Sequence, residues 1–316
     1  EKQYLDREDV INGIIDMDLE FDPGSQFSYS DLGMILLMEI AEKVSSKSID
    51  RMSSSWIYNP LGMNATMYNP PDNFFSQIVP TEYDAIYRKK LIHGIVHDEN
   101  AFLLGGVSSH AGLFSTAENL ARYAQMHLNN GTWLGNRIFQ ESMLKEFTSR
   151  QLLPEDSDHA LGWDTPSRNG KSSAGNYFSK SSFGHLGFTG TSLWIDPQEK
   201  IIVVLLTNRV HPTRDNLGIY GIRRKYHDAV MKEVKQDPEI KDKEGTQPAK
   251  YYAGDMAKST KEKRAAHFAK KKSGPAPGDA SAKTKPSKHT KKYKQMFGEE
   301  IEGLKNKAKK SGMPYG

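Results

Sequence analysis

The 316-residue sequence contains no cysteine and no run of about 18 apolar residues. The lack of cysteine excludes disulfide scaffolds, cysteine-based zinc sites, iron–sulfur clusters and thiol nucleophiles. The lack of a long apolar run predicts that no helix crosses a membrane. The chain opens Glu1-Lys2-Gln3, without Met or a signal peptide, which indicates a processed chain or a piece of a longer one.

Charge is unevenly distributed along the chain. Residues 1–235 hold 23 Lys and Arg against 29 Asp and Glu, a net charge of −6, whereas residues 236–316 hold 20 against 10, a net charge of +10. The second range also has few large aliphatic residues, so it cannot bury enough apolar surface to offset its chain entropy. We therefore expect a folded body over 1–235 and a basic, largely disordered tail over 236–316.

Lysine clusters in the tail are interleaved with aromatic residues, at 270–272, 283–294 and 305–310. Such a pattern can bind nucleic acid through phosphate neutralisation and base stacking, here over residues 250–310. A solvated extension without a nucleic-acid role is the alternative. A salt titration against DNA separates the two, because nucleic-acid binding by lysine depends on salt.

Hydrophobic periodicity predicts a helix over 31–45, with Ser30 or Asp31 as its N-cap. A shorter helix or lid is expected within 1–20. Further helices are predicted at 49–57, from an N-cap near Ser115–Thr116 to Asn130, at 137–148 and at 215–235. The long irregular connection over 64–115 is of a length that usually carries function.

Three strands are predicted at 183–188, 192–195 and 201–206, with a hairpin turn at 196–200. The last strand is apolar without alternation, which indicates a strand covered on both faces. Helices followed by an antiparallel meander and a closing helix predict an α+β fold, in which helices flank an antiparallel sheet.

Two motifs stand about 155 residues apart. Tyr29-Ser30-Asp31 opens the first long helix, and Gly-His-Leu-Gly-Phe-Thr-Gly occupies 184–190 on a strand. With Gly105-Gly106-Val107 and the run at 111–117 between them, residues 22–232 resemble the serine β-lactamase-related family, which includes class C β-lactamases, D-alanyl-D-alanine peptidases and esterases. The resemblance implies a β-lactamase/transpeptidase-like fold. The segments at 96–101 and 207–212 are similar to members encoded downstream of β-N-acetylglucosaminidase-like glycoside hydrolases.

The resemblance implies an acyl-enzyme reaction on cell-wall peptides, β-lactams or esters, without a cofactor. In the family a serine of a Ser-x-x-Lys motif attacks a carbonyl, and the lysine and a tyrosine handle its proton. Tyr29 matches that tyrosine, and Asp31 matches a contact to the substrate amide. His185 matches the cation or donor on the opposite strand. A small-molecule or peptidoglycan-type substrate and a periplasmic or extracellular location are implied.

The end of the same strand matches the family's substrate-binding edge. By resemblance, Gly187, Phe188 and Thr189 contact substrate, and the Phe188 N–H is one donor of the oxyanion hole. Gly187 suits a strand along which a substrate backbone must lie flat. Leu186 stands where the family usually has Thr or Ser, and Asp31 stands in place of Asn, so a negative charge opposes formation of a Tyr29 phenolate.

Both central residues have a simpler interpretation. Tyr29 could be a buried phenol beneath the helix start, and His185 a satisfied histidine of the sheet. Trp163 is expected to pack in the core. His93, His97 and the neighbouring acidic residues lack metal-ligand spacing, so we expect no metal and a loop that borders the cleft.

The 316 residues contain one Ser-x-x-Lys match, Ser142-Met143-Leu144-Lys145, on a predicted surface helix after the tyrosine. The family's motif lies well before the tyrosine, so we expect this chain alone to be catalytically silent. A missing N-terminal half would also leave one sheet edge unpaired. The alternatives are a non-catalytic peptidoglycan-binding fragment, and completion by an upstream N-terminal half, in trans or in a parent chain.

One geometric expectation tests this interpretation. The phenol of Tyr29 and the imidazole of His185 should face each other across one pocket, within about three hydrogen-bond lengths.

Overall fold

The computed structural model describes residues 7–152, 154–155, 157–170, 172–236 and 251–255. The chain divides into two units, Glu1–Lys261 and Glu262–Gly316, and every described residue lies in the first. The three lysine clusters lie outside the described residues, and of the predicted nucleic-acid interface over 250–310 only Tyr251–Asp255 is described.

The described residues contain seven α-helices: α1 (Arg7–Ile15), α2 (Asp31–Ser45), α3 (Ile49–Ser53), α4 (Glu99–Leu103), α5 (Ala117–Leu128), α6 (Glu141–Thr148) and α7 (Ile219–Gln236). They also contain ten strands: β1 (Met67–Tyr68), β2 (Tyr83–Asp84), β3 (Lys90–Leu91), β4 (Leu113–Phe114), β5 (Thr132–Trp133), β6 (Asn136–Arg137), β7 (Phe183–Leu186), β8 (Ser192–Asp196), β9 (Ile201–Leu206) and β10 (Tyr251–Asp255). A 3-10 helix covers Asp72–Gln77.

The main sheet has four strands in the order β10-β9-β8-β7. The strands β7, β8 and β9 form the predicted antiparallel meander, with His185 opposite Leu193 and Leu193 opposite Val204. Asp164 adds a bridge to Gly184 on the outer edge of β7. Three two-stranded antiparallel ladders, β1–β4, β2–β3 and β5–β6, lie outside this sheet.

Strand β9 is buried on both faces, which explains its unbroken apolar sequence. Ile202 and Val204 pack in a cluster with α5, and Trp163 packs against the same cluster, as predicted. Ile201 and Val203 pack with α7 on the opposite face. Helices therefore cover both sides of the sheet, and the predicted α+β architecture is confirmed.

Strand β10 lies within the range predicted to be largely disordered. It runs parallel to β9, with Tyr251 opposite Ile202 and Asp255 opposite Leu206. Strand β9 is therefore not left as an edge strand, because a segment from later in the chain pairs with it, and β10 takes the outermost position in the sheet. A bare strand edge presents unpaired N–H and C=O groups, and such a segment satisfies them without needing an apolar sequence.

Local sequence sets the start of α2. Ser30 is extended, with φ −139° and ψ 122°, and its Oγ accepts the Gly33 N–H at 3.4 Å. The helix runs over Asp31–Ser45, as predicted. Ile35 and Met38 face the interior, whereas Leu37, Ile40 and Val44 are 57%, 58% and 83% exposed.

The predicted helix over 49–57 is split into α3 and a π-helical turn, Ser54–Tyr58. Ser53 Oγ donates to the Ile49 carbonyl at 2.6 Å, and Ser55 Oγ donates to the Arg51 carbonyl at 2.7 Å. Hydroxyls that bond four residues back compete with the helical ladder, which accounts for the local change.

Two other helices begin later than predicted. Helix α6 starts at Glu141 because Asn136–Arg137 pair with β5 as a strand. Helix α7 starts at Ile219. Among the described residues, no helix combines the length and apolar composition that crossing a bilayer requires.

Candidate active site

Tyr29 stands at the entrance to α2. Tyr29 comes immediately before Ser30, the extended N-cap residue of the helix. Tyr29 is 67% exposed. The alternative of a buried phenol beneath the helix start is therefore wrong. An exposed hydroxyl at this point is accessible to a ligand.

The structure brings Tyr29 and His185 together. Their ring centroids lie 6.3 Å apart with an interplanar angle of 28°, within the limit that the sequence analysis set. His185 Nδ1 lies 2.9 Å from the Leu186 carbonyl oxygen. A carbonyl only accepts, so Nδ1 carries a proton, and in the neutral ring Nε2 keeps a free lone pair. The pair can therefore exchange a proton with a group placed between them.

The segment after His185 makes a tight turn. Gly187 N–H donates to the Thr191 carbonyl at 2.8 Å, and Gly190 N–H donates to the Gly187 carbonyl at 3.0 Å. A Cβ at Gly187 would lie 2.0 Å from Thr191 Oγ1. The requirement for glycine here comes first from this intramolecular contact, a reason that the sequence analysis did not give.

Phe188 and Thr189 are fixed by one arginine. The Phe188 carbonyl accepts Arg209 Nε at 2.9 Å, and the Thr189 carbonyl accepts the Arg209 N–H at 2.9 Å. The Arg209 guanidinium lies 4.4 Å from the centroid of the Phe188 ring, and the His97 ring stacks with that ring at 5.7 Å. This backbone is therefore held in one orientation beside the Tyr29–His185 pair.

Asp31 belongs to a charge cluster with Asp98 and His110. One donor or acceptor atom of each lies within 4.8 Å of the other two. His110 Nε2 donates to Asp98 Oδ1 at 2.9 Å, and His110 Nδ1 lies 2.8 Å from Ser108 Oγ. Both ring nitrogens are thus hydrogen-bonded to protein groups, and Asp31 lies next to this hydrogen-bonded His110–Asp98 pair.

The cluster makes the surroundings of Tyr29 acidic. Although Tyr29 is largely exposed, partial removal of its phenol from water raises the phenol pKa above its usual value, and the charges of Asp31, Asp164 and Asp98 act in the same direction. The effect of Asp31 has the sign that the sequence predicts. A phenolate at Tyr29 would need a cation beside it.

Burial raises the pKa of Asp31 above its usual value. The charge of His110 opposes this rise and the charge of Asp98 adds to it. For Asp98 burial acts in the same sense, but hydrogen bonds from His110 and the Ala101 N–H hold its pKa below the usual value.

Residues 93–99 are adjacent in sequence but have separate partners in space. His93 Nε2 bonds the Ile78 carbonyl at 2.7 Å, and His97 Nε2 bonds Glu82 at 2.9 Å. Glu99 pairs with Arg214 at 2.6 Å. They form no common ligand set, and His97 borders the site through its contact with Phe188.

A cavity of about 390 Å³ lies beside the segment that precedes Tyr29, and neither Tyr29 nor His185 lines it. Its wall includes Phe27, two residues before Tyr29, and the Phe27 ring stacks on His159 at 3.9 Å. His159 Nδ1 bonds Asp164 at 3.1 Å, and Asp164 is the residue bridged to Gly184. Sequence reasoning missed Phe27, His159 and Asp164 because no motif links them to the strand.

The single Ser-x-x-Lys match lies on α6. Ser142 and Lys145 are exposed, and Lys145 Nζ pairs with Glu141 at 2.7 Å. Leu144 of the same helix packs in a core cluster that includes Leu61 and none of the candidate site residues.

Comparison with known proteins gives a consistent family. The family model described as Beta-lactamase matches residues 1–226. A protein of Salmonella schwarzengrund that carries the name of a D-alanyl-D-alanine carboxypeptidase is 38% identical over 210 residues, which cover 61% of this chain and 48% of that protein. A protein of Salmonella newport with the same name matches over the same shares.

Solved structures of similar proteins were also found. A beta-lactamase from Mycobacterium bovis is 22% identical, with a TM-score of 0.47 over 67% of this chain and 66% of that chain. A penicillin-binding protein homologue from Caulobacter crescentus is 19% identical, with a TM-score of 0.45 over 60% and 56%. The chain spans about half the length of the curated relatives that it matches.

Proposed function

The chain belongs to the beta-lactamase family of serine hydrolases, and from that premise we propose that Tyr29 and His185 form one wall of an acyl-transfer site. The observation that carries the proposal is the stacking of their rings at 6.3 Å, across residues 156 positions apart in sequence. The exposed phenol and the free lone pair of the neutral imidazole provide proton-transfer groups on the same side of the cleft.

The remaining candidate residues receive binding roles in this proposal. The Phe188 N–H serves as one oxyanion donor, supported by the fixed orientation of the Gly187–Phe188 peptide, whose carbonyl accepts the Gly190 N–H at 3.0 Å and Arg223 Nη2 at 3.2 Å. Gly187 and Thr189 present backbone groups to substrate along the strand end. Asp31 accepts an N–H of the substrate amide. This division places proton transfer on two side chains and charge stabilisation on the backbone.

A peptidoglycan-type peptide is the substrate class that we propose. The support comes from the D-alanyl-D-alanine carboxypeptidase name of the Salmonella relatives. Asp31 favours a substrate with an N–H to donate, which an ester lacks. Leu186 removes a hydroxyl that would otherwise contact substrate, a departure that weighs against β-lactams.

We further propose that the 316 residues alone are catalytically silent. Their single Ser-x-x-Lys match lies on α6, where Lys145 is engaged by Glu141. In serine hydrolases that act through an activated nucleophile, loss of that nucleophile lowers turnover by about 10⁶. A polypeptide outside these residues would supply the serine and a lysine, and that cation would also offset the carboxylates around Tyr29.

An apolar face of α2 supports completion by another polypeptide. Helix α2 carries apolar residues on an outer face as well as on its buried face, a pattern typical of a helix that is covered on both. Leu37, Ile40 and Val44 nevertheless stand exposed in a row at i, i+3 and i+7 spacing. We propose that the completing segment packs on this row.

The test combines turnover with covalent labelling. The chain is incubated with an N-acyl D-alanyl-D-alanine peptide, a chromogenic β-lactam and a short-chain ester, then treated with a fluorescent penicillin and analysed by mass spectrometry. The expected result is no turnover above buffer and no acylated serine. Turnover that survives Ser142→Ala, together with an acylated serine elsewhere in the chain, would overturn the silent-chain proposal.

The site itself is tested after completion. The half of the Salmonella relative that this chain does not match is added, and peptide turnover is measured. Turnover should appear and should fall at least about a hundredfold in Tyr29→Phe, since a positioned acid–base group contributes about 10² to 10⁴. Tyr83→Phe, a comparably exposed phenol on β2, is the matched control. Equal turnover in both variants contradicts the role of Tyr29.

A binding function without turnover is a second candidate, favoured by the cavity beside Phe27. Sedimentation of the chain with purified peptidoglycan tests it. Retention that is lost in His159→Ala, which removes a side chain from the wall of that cavity, but kept in His93→Ala would support binding there.

A further inference from the structure

The loop that carries His110 contacts the N-terminal ends of two helices, α4 through Asp98 and α2 through Met34. It runs from the end of α4 to β4, and the His110 side chain within it is only 3% exposed. Its imidazole therefore cannot touch a substrate directly. Any contribution to the site has to pass through the groups that it contacts.

Asp98 is the first of those groups. It is the N-cap of α4, where Oδ1 accepts the Ala101 N–H at 2.8 Å as well as His110 Nε2–H at 2.9 Å. A carboxylate with two donors in fixed directions has little freedom to move. The imidazole is equally fixed, because Ser108 Oγ contacts its other nitrogen.

The same loop is tied to α2. Ser109 Oγ donates to the Met34 carbonyl at 2.5 Å, three residues after Asp31. Gly112 has φ +110°, and a Cβ there would lie 2.6 Å from the Gly106 carbonyl oxygen, so the loop is folded tightly on itself. The distance between His110 and Asp31 is thus set by a rigid connection.

The charges around Asp31 come from several elements. Among the described residues, the titratable groups that bear on the cluster come from the start of α2, the α4 cap, the loop and the segment beside β7: Tyr29, Asp31, His97, Asp98, His110 and Asp164. Three of them are carboxylates. Two carboxylates within 4.8 Å of each other disfavour each other's ionisation, and a neighbouring imidazole that can carry a positive charge opposes this effect.

We propose that His110 is a positioning residue whose imidazole, held by Asp98 and Ser108 next to Asp31, keeps the Asp31 carboxylate ionised. An ionised Asp31 accepts a substrate N–H, whereas a protonated Asp31 would present a donor to the same group. The role of Asp31 as acceptor rests on the proposed function. The dependence of its ionisation on His110 does not.

The experiment reads the ionisation of Asp31 in the chain without substrate. Aspartate carboxyl carbons are labelled with ¹³C, the Asp31 signal is assigned with Asp31→Asn, and the protein is titrated. In His110→Gln, which keeps a donor for Asp98 but cannot become charged, the acid dissociation constant of Asp31 should fall about fivefold or more. In His93→Gln, whose ring bonds the Ile78 carbonyl outside the cluster, it should stay at the wild-type value.

A reciprocal measurement keeps the test valid if His110→Gln does not fold. Coupling between two proton sites is mutual, so Asp31→Asn should lower the proton affinity of His110 by the same factor. An unchanged Asp31 titration in folded His110→Gln, or an unchanged His110 titration in Asp31→Asn, overturns the proposal. Because neither readout involves turnover, a negative result counts against His110 alone, and failure of the completed enzyme counts against the proposed function.

Discussion

His127 offers a quantitative test of how the core is built. It lies on α5, packed edge-on against Tyr123 and Trp163, and neither ring nitrogen has a hydrogen-bond partner among the described residues. Burial lowers its pKa from 6.5 to about 4. The buried His227 has its pKa lowered to about 4 as well, with burial again the main cause.

The sign of the pH dependence follows from these values. Between pH 6.5 and about 4 the unfolded chain binds protons on these histidines that the folded chain does not bind. The contribution of the neutral histidines to the free energy of unfolding is therefore fully present above pH 6.5 and is lost as the pH falls towards 4. At pH 5 each of the two histidines costs about 2 kcal/mol relative to pH 7.5. Below pH 4 their contribution changes no further.

The variant His127→Leu measures the part of this pH-dependent loss of stability that comes from His127. At pH 7.5 the variant should remain within about 1 kcal/mol of wild type, because lost ring contacts and removed unpaired nitrogens offset each other. Between pH 7.5 and pH 5 it should lose about 2 kcal/mol less than wild type, measured by urea unfolding. If both proteins lose the same free energy over that interval, the burial of a neutral His127 is refuted.

Two further predictions concern packing. Gly187→Ala should destabilise the fold by about 1–3 kcal/mol in thermal unfolding because its Cβ meets Thr191 Oγ1, and Thr191→Ala should restore most of the loss; additive losses in the double variant would contradict this. Val44→Glu should change stability by less than about 0.5 kcal/mol, whereas Ile35→Ala on the buried face of the same helix should cost about 2–5 kcal/mol. Similar losses in these last two variants would show that the outer face of α2 is already covered.

Sequence patterns predict the elements whose causes are local. The start of α2 follows from the Ser30 side chain, and the burial of β9 on both faces follows from six consecutive apolar residues. The split of the helix after Ile49 was not predicted, because serines that bond back to the helix look like ordinary helix residues in sequence.

The candidate site was predictable only in part. The proximity of Tyr29 and His185 follows from family resemblance and not from periodicity, since no local rule joins residues 156 positions apart. The contact of Asp98 with His110 was missed although both residues lie in the long connection. In the sequence, Asp98 shows only that it stands at a helix N-cap, and His110 shows only that it lies in a glycine-rich loop. Neither feature indicates that the two side chains contact each other.

The relation between the two rings is the claim on which the proposed site depends, and a nuclear Overhauser measurement tests it most directly. With tyrosine and histidine ring protons selectively labelled, a cross-peak between Tyr29 and His185 is expected, and it should disappear in His185→Ala. If both resonances are assigned in the folded protein and no cross-peak joins them, the two residues do not share a pocket.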